Sequence, residues 1–145
     1  MPSIQEHLLN LKNIGQLKVE PPDQSELDGL IAAAGNRLRD AENQTLSADS
    51  RYSLSYDAAH SLALAALRWH GYRPEHRYTV FQVLPHTLSF PMAKWRLLDN
   101  CHHRRNVVLY DGDLIEDEPL IKDLIVTTKE LLSAVKALGP INHSR

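Results

Sequence analysis

A basic segment from Lys94 to Tyr110, KWRLLDNCHHRRNVVLY, contains the residue types that could act on a phosphate group. Its arginine side chains are always charged and bind phosphate oxygens in a forked geometry. Imidazoles lie among them and can exchange a proton near neutral pH. The cationic and imidazole side chains of the segment are Lys94, Arg96, His102, His103, Arg104 and Arg105. This composition indicates an anion site.

The end of the segment has the pattern Arg105-Asn106-x-x-x-Tyr110. On a regular helix Asn106 and Tyr110, which are four residues apart, share one face. Arg105 and Tyr110 are five residues apart and lie ~140° from each other around the axis. A site that uses all three side chains therefore needs a kink or loop near the helix end, or contributions from two subunits. This spacing favours a cleft at a dimer interface.

The basic segment is followed at once by an acidic turn, DGDLIEDE, at residues 111–118. A solvated helix face, or an ion-pair network with this turn, therefore also explains the basic segment. A long helix is predicted from about Asp49 to His70, the second of the chain. Asp57 lies among alanines in this helix, where a carboxylate needs a partner. We therefore predict Asp57 as the buried partner of Arg105.

Neither the histidines nor the acidic turn has the pattern of a metal site. His102 and His103 are neighbours ~100° apart on a helix and cannot easily share an ion. The turn has its glycine in the wrong place for a calcium loop, and Lys122 stands where the terminal Glu would be. We predict no metal and no cofactor. Cys101 is predicted to be a buried helix residue and not a nucleophile.

The overall composition is that of a soluble globular domain. The chain has 145 residues, is 43% hydrophobic and carries a formal net charge of −2, so any attraction to phosphate must be local. Its single cysteine excludes an intrachain disulfide and fits a reducing cytoplasm. The N-terminus lacks the pattern of a signal peptide, and no stretch approaches the ~20 apolar residues of a membrane helix. We expect a cytoplasmic protein without membrane contact.

Apolar residues at helical spacing predict an all-α, up-and-down bundle of four long helices plus a short N-terminal helix. Asp23 and Glu26 are spaced as a capping box at the start of the first long helix, and Gly71 is placed to end the second. Pro74 is predicted to begin a further helix that ends before Pro85. No strand is predicted. Residues 1–22 are expected to form an arm, and residues 23–145 the helical domain.

The order of these elements, with the residues inside them, resembles the HEPN superfamily of small helical proteins. The matching pieces are RYSLSYDAAHSLALAALRWHGYR at residues 51–73, His76 after the turn, RRNVVLYDG at residues 104–112 and the long amphipathic final helix. Together they cover roughly residues 25–138. Their order and spacing carry the resemblance, since no single piece is a sharp signature.

The resemblance implies a dimeric helical bundle that often works beside a small nucleotidyltransferase in toxin–antitoxin or defence systems. Active members of the superfamily are metal-independent ribonucleases whose motif is an arginine and a polar residue, with a histidine four to six residues further on. Arg105 and Asn106 match the start of that motif. The histidine position falls near Tyr110, and a tyrosine, with a reference pKa of ~10, is a poor base at neutral pH.

Three functions follow as expectations. In the first, the chain binds RNA or a nucleotide phosphate at a homodimer cleft, as a module for a nucleotidyltransferase or antitoxin partner. In the second, it is a metal-independent ribonuclease toxin in which Arg105 stabilises phosphate charge and Tyr110 or a nearby histidine is the base. In the third, it is a structural dimer without ligand. The predicted catalytic residues are Arg105, Tyr110 and His103, and the predicted ligand-binding residues are Arg104, Asn106, His102 and Asp57.

Overall fold

The computed structural model describes residues 3–112 and 114–141, without the side chains of residues 108–111. Within them the chain forms seven helices and two strands of three residues each. The elements are α1 Ile4–Asn13, β1 Leu17–Val19, α2 Gln24–Ala41, α3 Ala48–Trp69, β2 Tyr72–Pro74, α4 Thr79–Gln82, α5 Leu84–Thr87, α6 Met92–Asp111 and α7 Glu118–Lys136. The predicted all-α bundle is confirmed, with α2, α3, α6 and α7 as its four long helices. No helix in this part of the chain is long and apolar enough to cross a membrane.

Helix α3 is the centre of the bundle and contacts α2, α6 and α7. Its buried face is built largely from alanine, and small side chains let neighbouring helix axes approach closely. Leu62 and the large rings of Tyr52 and Tyr56 fill the space between α3 and its neighbours. The fully buried alanines are Ala58, Ala59, Ala63, Ala65 and Ala66 on α3, with Ala34 and Ala41 on α2.

The start of α2 follows the predicted signal only in part. The Asp23 side chain accepts a hydrogen bond from the Ser25 backbone N–H at 2.9 Å, so it caps α2 as predicted. Glu26 does not complete a capping box, because its carboxylate binds Arg68 at 2.5 Å and Arg73 at 2.8 Å. Charged partners therefore outcompete the local backbone for this carboxylate.

Gly71 follows the end of α3 in the left-handed region, with φ of +89°. A side chain in this conformation is strained by ~1–2 kcal/mol. We therefore expect Gly71→Ala to lower the free energy of unfolding by about that amount, measured by urea denaturation. Gly29 is the matched control, because it lies inside α2 and a Cβ atom added there would have no neighbour within 4 Å. Gly29→Ala should raise stability by up to ~1 kcal/mol, and destabilisation by both variants to the same extent would contradict this prediction.

The prediction of a helix beginning at Pro74 is wrong. Residues 72–74 form β2, which pairs antiparallel with β1, so that Leu17 lies opposite Pro74 and Val19 opposite Tyr72. This pairing satisfies the backbone over a long sequence separation, which local helix signals cannot reveal. Between β2 and α6 the chain forms only two helices of a single turn each, α4 and α5. Pro85 prevents them from joining into one longer helix. The prediction that the chain contains no strand is likewise wrong.

The arm predicted for residues 1–22 packs against the helical domain. Leu8 and Leu17 are fully buried or nearly so and form a small second core with Leu67 and Val83. The rings of His7 and His86 stack with centroids 4.4 Å apart, which joins α1 to α5. The arm and the β1–β2 ribbon thereby hold the segment that leads from β2 into α4.

Candidate functional site

Polar side chains from two helices and one loop meet around the phenol of Tyr56. We call this group the Tyr56 cluster. Helix α3 contributes three of its members, α6 contributes three more, and the loop between β2 and α4 contributes one. The members are Tyr56, Asp57, His60, Arg77, His102, Arg105 and Asn106.

Helix α6 presents three of these side chains from one face. His102, Arg105 and Asn106 are spaced at i, i+3 and i+4, which places them within one turn on the side that faces α3. The helix is continuous through these positions, and it needs no kink to bring them together. These three predicted site residues therefore meet within a single chain. A second subunit is not required to assemble them.

The His102 imidazole is hydrogen-bonded through both ring nitrogens. Its Nδ1 lies 2.6 Å from the Tyr56 hydroxyl, and its Nε2 lies 3.2 Å from the Asn106 side-chain nitrogen. Because an amide nitrogen only donates, this arrangement makes Nε2 an acceptor and leaves Nδ1 to carry the proton of the neutral ring. Burial lowers the pKa of His102. His102 and Tyr56 are 6% and 2% exposed, so this pair lies beneath the surface.

Two guanidinium groups flank the same phenol. The Cζ atom of Arg105 lies 5.0 Å from the centre of the Tyr56 ring. Burial raises the pKa of Tyr56, and the positive charges of Arg77 and Arg105 oppose that increase. Arg77 is exposed, and the Arg105 side chain is 24% exposed. The phenol therefore lies at the base of a local concentration of positive charge that solvent can reach.

Arg105 retains unused hydrogen-bonding capacity. Its Nη1 atom lies 3.6 Å from Asp57 Oδ1, so the predicted pairing with Asp57 is present as an ion pair. This separation is too long for a hydrogen bond. Nη1 is buried and has no hydrogen-bond partner among the described residues. Asp57 is itself 37% exposed and not the buried partner that its alanine neighbours predicted.

The other predicted site residues lie apart from the Tyr56 cluster. Arg104 Nη1 is 3.3 Å from Asp117 Oδ2, at the N-cap of α7. His103 is 70% exposed, and its Nε2 lies 3.8 Å from Asp99. Both side chains line a surface cavity on a different side of α6 from Arg105. The backbone of Tyr110 is helical, but its side chain lies outside the described residues.

Three members of the cluster are absent from the predicted site residues. The apolar period of α3 predicts Tyr56 as a core residue, and it is indeed buried. His60 Nε2 lies 3.3 Å from the backbone oxygen of Arg77, so His60 fixes the loop that carries this arginine. The only available signal for Arg77 is the polar run EHRY at residues 75–78, directly after the turn.

His60 makes stability depend on pH. Burial, and then the charge of Arg77, lower the pKa of His60 from 6.5 to about 4. As pH falls below 6.5 the unfolded chain takes up a proton here that the folded chain does not, so the folded state loses stability between pH 6.5 and 4. We expect this imidazole to account for a loss on the order of 2 kcal/mol over that interval. Urea unfolding of wild type and His60→Gln at several pH values measures it.

The variant should lose less stability than wild type over the same interval. The matched control is His103→Gln, because that imidazole is 70% exposed. The free energy of unfolding of His103→Gln should follow the same dependence on pH as that of wild type. Parallel curves for wild type and His60→Gln would contradict the prediction.

The described residues include no group of three or more histidine, cysteine, aspartate or glutamate side chains that could hold a metal ion. Asp113 of the acidic turn lies outside them. Cys101 is fully buried, as predicted, and burial raises the pKa of its thiol to about 11. The thiol therefore stays protonated at neutral pH, which is unsuited to a nucleophile.

The arginines of the Tyr56 cluster have the charge and the forked geometry that suit an anion. Comparison with protein-family models, curated proteins and solved structures found no match to this chain.

Proposed function

We propose that this chain is a HEPN-like helical protein that binds the phosphate of RNA or of a nucleotide at the Tyr56 cluster. The observation that carries the proposal is Arg105, whose buried Nη1 has no hydrogen-bond partner among the described residues. Its guanidinium group faces the same Tyr56 phenol as a second arginine, Arg77. A buried donor without a partner costs ~1–3 kcal/mol. The Arg105 side chain is 24% exposed, so a small rotation of its guanidinium group would let a phosphate oxygen satisfy this donor in the forked geometry of the group.

The charge distribution supports a local site. The chain carries a net charge of −2, so the whole molecule does not attract nucleic acid. Arg77 and Arg105 nevertheless lie against one phenol, and the carboxylate nearest to Arg105 stays 3.6 Å away. A ligand phosphate can therefore approach the exposed part of the guanidinium group without first displacing a hydrogen bond to Asp57.

Burial favours binding over catalysis. A general base must come within about 3 Å of the proton that it removes. His102 is 6% exposed, and both of its ring nitrogens are already in hydrogen bonds. Its role in the proposed site is to position Tyr56, whose ring packs against the Arg105 guanidinium group.

One observation favours the ribonuclease as a second candidate. The hydrogen bond of 2.6 Å between Tyr56 and His102 is a path for a proton, and it lies directly beside Arg105. This path needs the other tautomer of His102, in which the Asn106 amide turns its oxygen to accept from Nε2–H and Nδ1 is unprotonated. If the phenol then reached the ligand, it could give its proton to Nδ1 and take one from a ribose 2′-OH. Arg105 would then stabilise the negative charge on phosphorus. Tyr110 and His103 remain alternative bases in this proposal.

The homodimer and a nucleotidyltransferase or antitoxin partner are also part of the proposal. They rest on the resemblance of residues 51–73 and 104–112 to the superfamily and, for the homodimer, on the spacing of Arg105 and Tyr110. They do not rest on the Tyr56 cluster, which forms within one chain.

Incubation with RNA in EDTA, scored for both cleavage and retention, separates the functions. Wild type, Arg105→Ala and Arg104→Ala are compared, because the two variants remove the same charge from adjacent positions. Retention that is lost only in Arg105→Ala supports the binding protein. Metal-independent cleavage that is lost only in Arg105→Ala supports the ribonuclease. If wild type neither retains nor cleaves RNA at low salt, the structural dimer without ligand is the function that is left.

A further inference from the structure

Two exposed aromatic rings border the Tyr56 cluster. The rings of His76 and Tyr78 are stacked, with centroids 5.5 Å apart and planes 4° apart. Tyr78 is 38% exposed, and His76 is exposed as well. The Tyr78 centroid lies 6.5 Å from that of His102, so the pair is next to the cluster and not on a remote surface.

The positions of these rings relative to charge distinguish them from ordinary surface aromatics. Arg77 lies between them in the chain and directs its charge to the Tyr56 phenol. The His60 ring is hydrogen-bonded to the Arg77 backbone oxygen and thereby anchors the segment to α3. The loop therefore presents a flat aromatic surface beside two guanidinium groups, and it is held to the bundle on one side.

A flat ring pair beside arginines matches the chemistry of a nucleotide with an unpaired base. Bases have an apolar face that stacks on aromatic side chains, and their phosphates bind guanidinium groups. In a duplex both faces of each base are already stacked on neighbouring bases, so a protein ring cannot use them. Free phosphate would use only the arginines.

We propose that His76 and Tyr78 form a base-binding subsite, and that the ligand of the Tyr56 cluster is a nucleotide or single strand with an unpaired base. This inference rests on the proposed function, because the subsite acts together with Arg77 and Arg105. Stacking tolerates any base, so the subsite recognises an unpaired base and not a sequence. Tyr78 supplies the larger ring and should contribute more than His76.

The test is a competition experiment in which a fluorescently labelled single-stranded RNA is displaced from the full chain. Adenosine 5′-monophosphate and ribose 5-phosphate are the competitors, because they share the phosphate and the ribose and differ in the base. With wild type, the nucleotide should compete about tenfold better than the sugar phosphate. Tyr78→Ala should abolish this difference, and Tyr78→Phe, which keeps an aromatic ring, should retain it. The labelled strand should also bind more tightly than its duplex with a complementary strand.

The outcomes separate this inference from the proposed function. Equal competition by the two compounds, with binding still sensitive to Arg105→Ala, would overturn the base subsite and leave the phosphate site. No binding of the single strand by wild type would overturn both. A competition preference of the nucleotide that survives in Tyr78→Ala would overturn the assignment of the subsite to this ring. Tighter binding of the RNA strand than of the mononucleotide identifies a polymer as the source of the base.

Discussion

Replacing Arg68 by alanine is expected to lower the free energy of unfolding by about 3–5 kcal/mol. Arg68 is 2% exposed and binds Glu26 Oε1 at 2.5 Å, Pro21 O at 2.8 Å and Glu20 O at 2.9 Å. Its removal would take a donor from three backbone oxygens, those of Glu20, Pro21 and Tyr72, and from Glu26 Oε1. Each such loss is costly when the group is buried. The effect is measured by urea denaturation followed by circular dichroism.

Arg73→Ala is the matched control for this prediction. Arg73 binds the carboxylates of the same two glutamates, but its side chain is 30% exposed. Ion pairs that water can reach contribute ~0–1 kcal/mol, so this variant should stay within that range. Equal losses in the free energy of unfolding for the two variants would contradict the prediction. They would show that burial of the Arg68 guanidinium group does not determine its contribution to stability. The network also holds β2, so Arg68→Ala should loosen the loop that carries Arg77.

Replacing Arg105 by alanine is expected to lower the affinity for single-stranded RNA at least tenfold. A hydrogen bond to a charged group contributes ~1.5–3 kcal/mol, and tenfold in affinity corresponds to ~1.4 kcal/mol. The loss of one phosphate contact should also reduce the slope of log affinity against log salt by ~0.7 for a single strand. Fluorescence anisotropy between ~50 and ~200 mM salt measures both quantities.

Arg104→Ala provides the control, since it removes the same charge one residue away. Arg104 is paired with Asp117 on another side of α6. We expect Arg104→Ala to change the affinity for single-stranded RNA by less than about threefold, because it removes a charge but no phosphate contact. The salt slope should stay at the wild-type value. Equal losses in Arg104→Ala and Arg105→Ala would contradict the proposed site. They would instead support a basic helix face that attracts anions without a defined geometry.

Much of the fold could be predicted because its signals are local. The four long helices follow from apolar spacing, and the caps at Asp23 and Asp117 and the stop at Gly71 follow from side-chain and backbone preferences over a few residues. The segment from residue 72 to residue 87 could not be predicted in this way. Its conformation depends on pairing with β1, which lies more than fifty residues earlier in the chain.

The candidate site could likewise be predicted only where its signals are local. Helical spacing alone places His102, Arg105 and Asn106 on one face, and Asp57 was predicted as the partner of Arg105. The direction of that face was not predictable, because it depends on how α6 packs on α3. The contribution of Tyr56 arises from the same packing. Those of Arg77 and Tyr78 arise only when the loop after β2 lies beside α6. Arg104, adjacent to Arg105 in sequence, is separated from the cluster by that same packing.

The most direct test of the phosphate site is to follow the arginine side-chain Nε–Hε signals of isotope-labelled protein by nuclear magnetic resonance during titration with adenosine 5′-monophosphate. Point variants assign the signals of Arg77, Arg104 and Arg105. Binding at the Tyr56 cluster predicts saturable shifts of the Arg77 and Arg105 signals, with the Arg104 signal unchanged. Saturable shifts of Arg104 alone, or of none of the three, would contradict it.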